Sequence, residues 1–189
     1  MCADLAGPFE GSPRPGGAVT HHVHYFCVVV FSFTDFPIES EATAGARQHV
    51  EENEELAPAP VRARTPTRVN LPYVELLAAK SEAPMAVMKV IARIRATYGS
   101  SAVTRFHSDK GTEFENVALK TSLVNNLIHF TTTAGYDPNS NGLAECFVGR
   151  VKSKARVLLA AARMYTRWWG MAALAAADSM RAETGWEQH

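Results

Sequence analysis

The chain has 189 residues, 47% of them hydrophobic, which allows one domain with a self-supporting core and excludes wholesale disorder. Nineteen basic residues balance nineteen acidic ones, so overall charge does not announce a nucleic-acid binder. Three cysteines (Cys2, Cys27, Cys146) form no CxxC pair, which argues against a disulfide framework and for a reduced intracellular compartment.

Residues 1–9 read as the end of a strand followed by a Gly-Pro turn, and 10–19 as a turn-rich connector. Residues 22–33 are dense in β-branched and aromatic types and predict a buried strand. The apolar run inside it, Tyr25 to Phe33, is too short to cross a bilayer, and the N-terminus lacks the pattern of a secretory signal. A second strand is expected at about 69–79. Between them, 35–68 is acidic in its first half and Pro/Arg-rich in its second, the composition of a disordered insertion.

Residues 81–98 predict an amphipathic helix: Ala83, Val87, Val90, Ile91 and Ile94 recur at helical spacing, and Gly99 is placed to cap it. A strand at 102–108, a helix at 113–125, a strand at 127–132 and a polar loop at 133–141 follow. A helix begins near Glu145, and a last one covers 165–182, with Trp168 and Trp169 available to pack it down. The order β-β-β-α-β-α-β-α-α is that of a mixed α/β domain. It spans 1–182 and leaves 183–189 as a tail.

Two acids stand out. Asp109 closes the strand-like run Ala102–Ser108, ahead of Lys110-Gly111-Thr112-Glu113-Phe114, and Gly111 lets the chain turn away. Glu145 opens a helix, with 35 residues between it and Asp109 (145 − 109 − 1). Two-metal phosphoryl transfer needs carboxylates carried to one point by separate elements, the ions roughly 3.5–4 Å apart. Mg²⁺ prefers such oxygen donors and keeps several waters, so two or three acids suffice. On the helical wheel Gly149, Lys152 and Arg156 fall within about 40° of Glu145. Phe147, Val148, Val151, Ala155, Leu158 and Ala162 lie on the far side. From Glu145 to Arg167 six cations (Arg150, Lys152, Lys154, Arg156, Arg163, Arg167) accompany that single acid, so affinity for DNA phosphates is expected there.

Ser108-Asp-Lys-Gly-Thr112, with Glu113-Phe114 behind it, resembles the second catalytic strand of retroviral and retrotransposon integrases. Thr131 to Glu145, with Gly135, Tyr136, Asn141 and Gly142, resembles their active-site loop and the Asn-Gly-Xaa-Ala-Glu signature of Copia-type integrases, part of a Pol polyprotein. Asp4-Leu-Ala-Gly-Pro8 is similar to the opening strand with its first catalytic aspartate. Two positions depart from the pattern: Lys110 stands where the family has Asn or Arg, and Cys146 where it has Arg.

The resemblance implies a ribonuclease-H-like fold, a mixed five-stranded sheet flanked by helices. It implies that Asp4, Asp109 and Glu145 are the catalytic carboxylates and hold two Mg²⁺ ions, with Mn²⁺ as a substitute. The implied reactions are 3′-end processing of a linear element, with water as the attacking group, and transfer of the 3′-hydroxyl into target DNA. Lys152, Arg156, Lys154 and Arg150 would hold DNA phosphates, mostly without reading sequence. It further implies a nuclear location and a possible homo-oligomer. No membrane partner is expected, and no zinc, because His21, His22, His24 and Cys27 match no paired-ligand motif. Two other readings stay open: a truncated or degenerate, non-catalytic nucleic-acid-binding fragment, and a related nuclease that cuts without joining.

Overall fold

The structure is a computed structural model and describes residues 1–9, 11–13, 22–35, 67–109, 111–133 and 141–185. The chain divides into two compact units. One comprises Met1–Phe31 and Asn70–His189. The other is Ser32–Val69, of which only the strand ends 32–35 and 67–69 are described. The expected disordered insertion therefore lies, at 36–66, outside the described residues.

Seven strands and four helices are described: β1 (Cys2–Ala6), β2 (Ser12–Pro13), β3 (His22–Val23), β4 (Tyr25–Asp35), β5 (Thr67–Leu77), α1 (Ala83–Tyr98), β6 (Arg105–Ser108), α2 (Val117–Asn125), β7 (His129–Thr132), α3 (Gly142–Ala161) and α4 (Trp169–Ala182). Five strands form one mixed sheet in the order β5-β4-β1-β6-β7, with β1 antiparallel to β4 and parallel to β6, and β6 parallel to β7. This is the five-stranded, helix-flanked, ribonuclease-H-like arrangement that the sequence led us to expect. A separate two-stranded pair, β2 with β3, was not foreseen; it is too short to carry a periodic signal.

Alternation along β4 assigns the two faces of the sheet. Phe26, Val28 and Val30 join Cys2 and Ala6 of β1 in one apolar cluster with Phe147, Val148 and Val151 of α3 and Ala172, Ala173, Ala176 and Ala177 of α4. The small alanine face of α4 lets α3 and α4 settle together on the sheet. Cys27, Val29 and Phe31 are buried on the opposite face, where the Phe31 ring lies 5.5 Å from that of Tyr98 on α1. Helix α1 buries Ala83, Val87, Val90, Ile91 and Ile94, as its periodicity predicts, and Ala86 besides, and Gly99 caps it at φ 98°, its N–H donating to the Arg95 carbonyl.

Boundaries moved where local chemistry outweighed pattern. Residues 113–116 form turns rather than the first turn of a helix, because Asn116 caps α2 by accepting from the Ala118 N–H. Strand β6 starts at Arg105, three residues later than expected, and a short 3₁₀ turn at Thr166–Trp168 precedes α4. Ala162, assigned to the apolar side of α3, is the exposed C-cap.

One charge is deeply buried. Arg181, 2% exposed, donates from Nη1 to the carbonyl of Pro72 at 2.8 Å, pairs with Asp178, and sits 4.6 Å from the centroid of the Tyr73 ring. Pro72 is tolerated because β5 is an edge strand. The arginine thus ties α4 to β5. Arg181→Ala is expected to lower stability by about 2–4 kcal/mol, since it strands a buried carbonyl and opens a cavity, and urea unfolding would measure it.

Candidate active site

Strand β1 decides where the first acid lies. Its residues pair with β4 from Cys2↔Val30 to Ala6↔Phe26, with Asp4 opposite Val28. Asp4 therefore stands between Cys2 and Ala6 on the face that α3 covers. On its other side β1 runs parallel to β6, with Cys2↔His107 and Ala3↔Ser108; one more step of that register sets Asp109 beside Asp4. Asp4 and Asp109 stand 105 positions apart in the sequence (109 − 4) and come side by side because β1 and β6 are parallel neighbours.

Both aspartates are anchored locally. Asp4 Oδ1 accepts the Leu5 N–H at 2.8 Å, and Asp109 Oδ1 accepts the Gly111 N–H at 3.2 Å. Beneath Asp109, fully buried Ser108 donates its hydroxyl to the Asp109 carbonyl at 3.0 Å. Next to it, the His107 Nδ1 and the Thr131 hydroxyl, 3.0 Å apart, link β6 to β7. A Cβ at Gly111 would come within 2.9 Å of the Glu113 carboxyl, the far end of a flexible side chain that can move aside, so this contact does not by itself require glycine.

Glu145 occupies the first turn of α3 and is exposed. The helix is positioned by Asn141, which precedes it. Asn141 is 4% exposed; its Nδ2 donates to the Ala3 carbonyl of β1 at 3.4 Å, and its backbone carbonyl accepts the Glu145 N–H at 3.2 Å. The residue before Asp4 and the residue that starts the Glu145 helix are thus directly joined. Gly142 follows at the helix start, while Gly135 and Tyr136 of the expected active-site loop, like Lys110, lie outside the described residues.

The electrostatics show that these acids share one neighbourhood. The Asp4 carboxyl is held above its ordinary value, first by burial and then by the negative charges of Asp109, Glu145 and Glu113; the Leu5 N–H opposes the rise. Glu113 is a fourth acid that sequence reasoning passed over. The signal available was its position four residues after Asp109, in the turn that follows the strand end. Burial, then the charge of Asp4, also pushes the Cys27 thiol up, so Cys27 is an inert core group.

Asp4, Asp109, Glu145 and Glu113 supply only hard carboxylate oxygens, and the buried Asn141 Oδ1 beside β1 has no hydrogen-bond partner among the described residues. Such donors suit a cation like Mg²⁺ in kind. As they stand, however, no three His, Cys, Asp or Glu groups among the described residues are close enough together to hold a metal ion. The set is an open one.

The cations of α3 divide. Lys154 pairs with Glu183, whose carboxyl it holds below its ordinary value, and Arg150 lies over the Phe147 ring at 4.8 Å. Lys152 and Arg156 make no ion pair among the described residues and border a cleft of about 320 Å³. Gly149, on the same stripe, is exposed, and a Cβ there would meet nothing within 4 Å among the described residues. Of the histidines considered above, His24 is engaged with the Phe9 carbonyl at 3.1 Å, His22 is exposed, and His21 lies outside the described residues. No helix among the described residues is long and apolar enough to cross a membrane.

No protein-family model matches the chain, and no curated protein matches it. Among solved structures it is similar to the catalytic core domain of BIV integrase, with 16% identity and a TM-score of 0.44 over 62% of this chain and 82% of that one. It is also similar to a chain of the simian T-cell lymphotropic virus intasome in complex with PP2A regulatory subunit B56 gamma. There identity is 19% and the TM-score 0.42, over 55% of this chain and 36% of that one. The match thus spans little more than a third of the intasome chain's length.

The raised Asp4 carboxyl has a consequence for stability. Its folded value exceeds its unfolded one, so the folded state holds the proton more tightly and stability falls as pH rises between the two. The penalty is absent below the unfolded value and complete above the folded one. Asp4→Asn should therefore raise Tm at pH 7 by about 1–3 °C, kept small by solvent screening, and leave it unchanged near pH 3. Thermal melts of both proteins across that range test the sign.

Proposed function

We propose that this chain is an integrase-type polynucleotidyl transferase core acting on DNA. The observation that carries the reading is the shared electrostatic neighbourhood of Asp4, Asp109 and Glu145, on a central strand, a strand end and a helix start. These are the three acids that the Copia-like motifs single out. Rigid platforms of this kind hold side-chain direction firmly, as transfer between phosphates requires.

In this reading Asp4, Asp109 and Glu145 hold two Mg²⁺ ions, replaceable by Mn²⁺, which when bound supply Lewis acidity to the phosphate and lower the pKa of the attacking group. The domain's own contribution is placement. Asn141 fixes the start of α3 against β1, and Glu145, exposed at that start, is free to turn toward the two aspartates. Lys152 and Arg156, unpaired on the Glu145 stripe, steady the DNA backbone, while Lys154 is engaged by Glu183 and contributes less than its position on the helix suggests. Arg150 keeps only its outward charge. The substrate is a linear retrotransposon's DNA ends, joined to target DNA in the nucleus within an oligomer, the chain being one part of a Pol polyprotein.

The decisive experiment incubates the purified chain with a labelled element-end duplex and a target plasmid in Mg²⁺ or Mn²⁺. Joined product is expected, with Glu145→Gln and Asp109→Asn lowering it by more than about a hundredfold, the scale on which loss of a group stabilising transition-state charge registers. Cut but unjoined DNA would assign a nuclease instead. Salt-sensitive binding with neither product would assign a non-catalytic fragment, the outcome that Cys146 in the place of an arginine favours.

A further inference from the structure

Beyond the carboxylates, the cleft beside α3 has a composition that the proposed chemistry does not use. Its floor is aromatic: the Phe9 ring lies 5.6 Å from Phe26, nearly parallel, and 4.6 Å from Trp169, tilted by 42°. Phe26 is buried, whereas Phe9 and Trp169 are half-buried and line the open volume. Lys152 Nζ stands 5.6 Å from the Phe9 ring centroid, and Arg156 borders the same space. Thr166 adds a hydroxyl, and among the described residues no acid lines the cleft.

Phe9 is held in place by the backbone. Its N–H donates to the His24 carbonyl at 2.8 Å, and its own carbonyl meets the His24 Nδ1 at 3.1 Å. Gly7, at φ 136°, makes the turn that brings Phe9 back to the sheet; a Cβ there would come within 2.7 Å of the His24 carbonyl and 2.5 Å of the Tyr25 ring. The ring is thus presented by a built turn, whereas residues on a loose tail would carry no such anchoring.

Flat apolar walls and two uncompensated cations complement one kind of occupant: an aromatic ring that carries a phosphate. At about 320 Å³ the cleft is at the small end of ligand-sized pockets. Lys152 is seven residues from Glu145 on one helical stripe, about 10 Å along the axis. A strand lying over Glu145 would therefore bring a neighbouring nucleotide to the cleft.

We infer that the Phe9–Trp169 cleft binds a single unpaired nucleotide of the DNA substrate, its base stacked on the aromatic walls and its phosphate held by Lys152 and Arg156. This rests on the proposed DNA reading and adds to it a requirement for an unstacked base near the reacting phosphate. Stacking on an aromatic wall tolerates any base, so the cleft selects single-stranded character rather than sequence.

The test uses the full chain and a fluorescein-labelled duplex with a short single-stranded overhang, compared by anisotropy with the same duplex carrying an abasic overhang and with a blunt duplex. The chain should favour the base-bearing overhang by about fivefold or more, the lower end of what one stacked base is worth. Phe9→Leu should erase that preference and leave blunt-duplex binding unchanged. Leu159→Trp, which fills the cleft without removing a packed ring, should do the same even if the first variant folds poorly. Lys152→Gln with Arg156→Gln should weaken all three duplexes and flatten the salt dependence. Equal binding of base-bearing and abasic overhangs, a preference that survives both cleft variants, or displacement of the overhang by a Glu/Phe peptide more readily than by free oligonucleotide would overturn the inference. A chain that keeps the base preference but joins no DNA would retire the transferase reading and leave the cleft standing. One that joins DNA without the preference does the reverse.

Discussion

The organisation of this domain depends on β1 being flanked on both sides. Five residues, Cys2–Ala6, pair antiparallel with β4 and parallel with β6 and carry Asp4 in their middle. The antiparallel register sets Asp4 on the face that α3 covers, and the parallel register draws Asp109 beside it. A shift of β1 by one residue would turn Asp4 toward the α1 face and Ala3 or Leu5 toward α3. What holds the register is the apolar alternation on both sides of the acid: Cys2 and Ala6 enter one core while Ala3 is buried in the other.

Placing a carboxylate at that point is unfavourable for the fold. Asp4 is half-buried, and three further negative charges act on it. A domain selected for stability alone would put an apolar or small polar residue there, as β-strand cores generally do. The concentration of like charge on a central strand is thus a local contradiction in an otherwise consistent structure, and such contradictions are where function is to be sought. A multivalent cation among these oxygens would reverse the sign of the interaction, turning mutual repulsion into shared attraction.

Much of this was legible in the sequence, for identifiable reasons. The helix α1 was legible from its period, because burial on one face forces it, and β4 from its run of β-branched and aromatic residues, because a strand buried on both faces is apolar at every position. Asp109 and Glu145 could be singled out because each ends or begins such an element. The hairpin of β2 and β3 was not legible, since two residues per strand carry no period. Glu113 was missed because the action of its charge on Asp4 is a through-space relation between a turn and β1, which sequence spacing does not show. The sorting of the basic stripe was equally hidden: only contacts made at a distance in sequence, Lys154 with Glu183 and Lys152 with Phe9, separate a satisfied cation from an available one.

That sorting changes how the helix is to be understood. Arg150, Lys152, Lys154 and Arg156 looked like one ridge, a surface on which DNA would lie by charge alone. With Lys154 paired to Glu183, the remaining charge is carried by Arg150, Lys152 and Arg156; of these, Lys152 lies over the Phe9 ring and, with Arg156, borders the cleft that Phe9 and Trp169 line. Gly149, one turn toward Glu145, leaves the helix surface open between the two regions. The stripe is therefore two separate places, an acidic one at the helix start and a basic, aromatic one about two turns on. A backbone phosphate drawn to the second is held about two turns from the first, and on the stripe between them Gly149 presents no side chain to obstruct it.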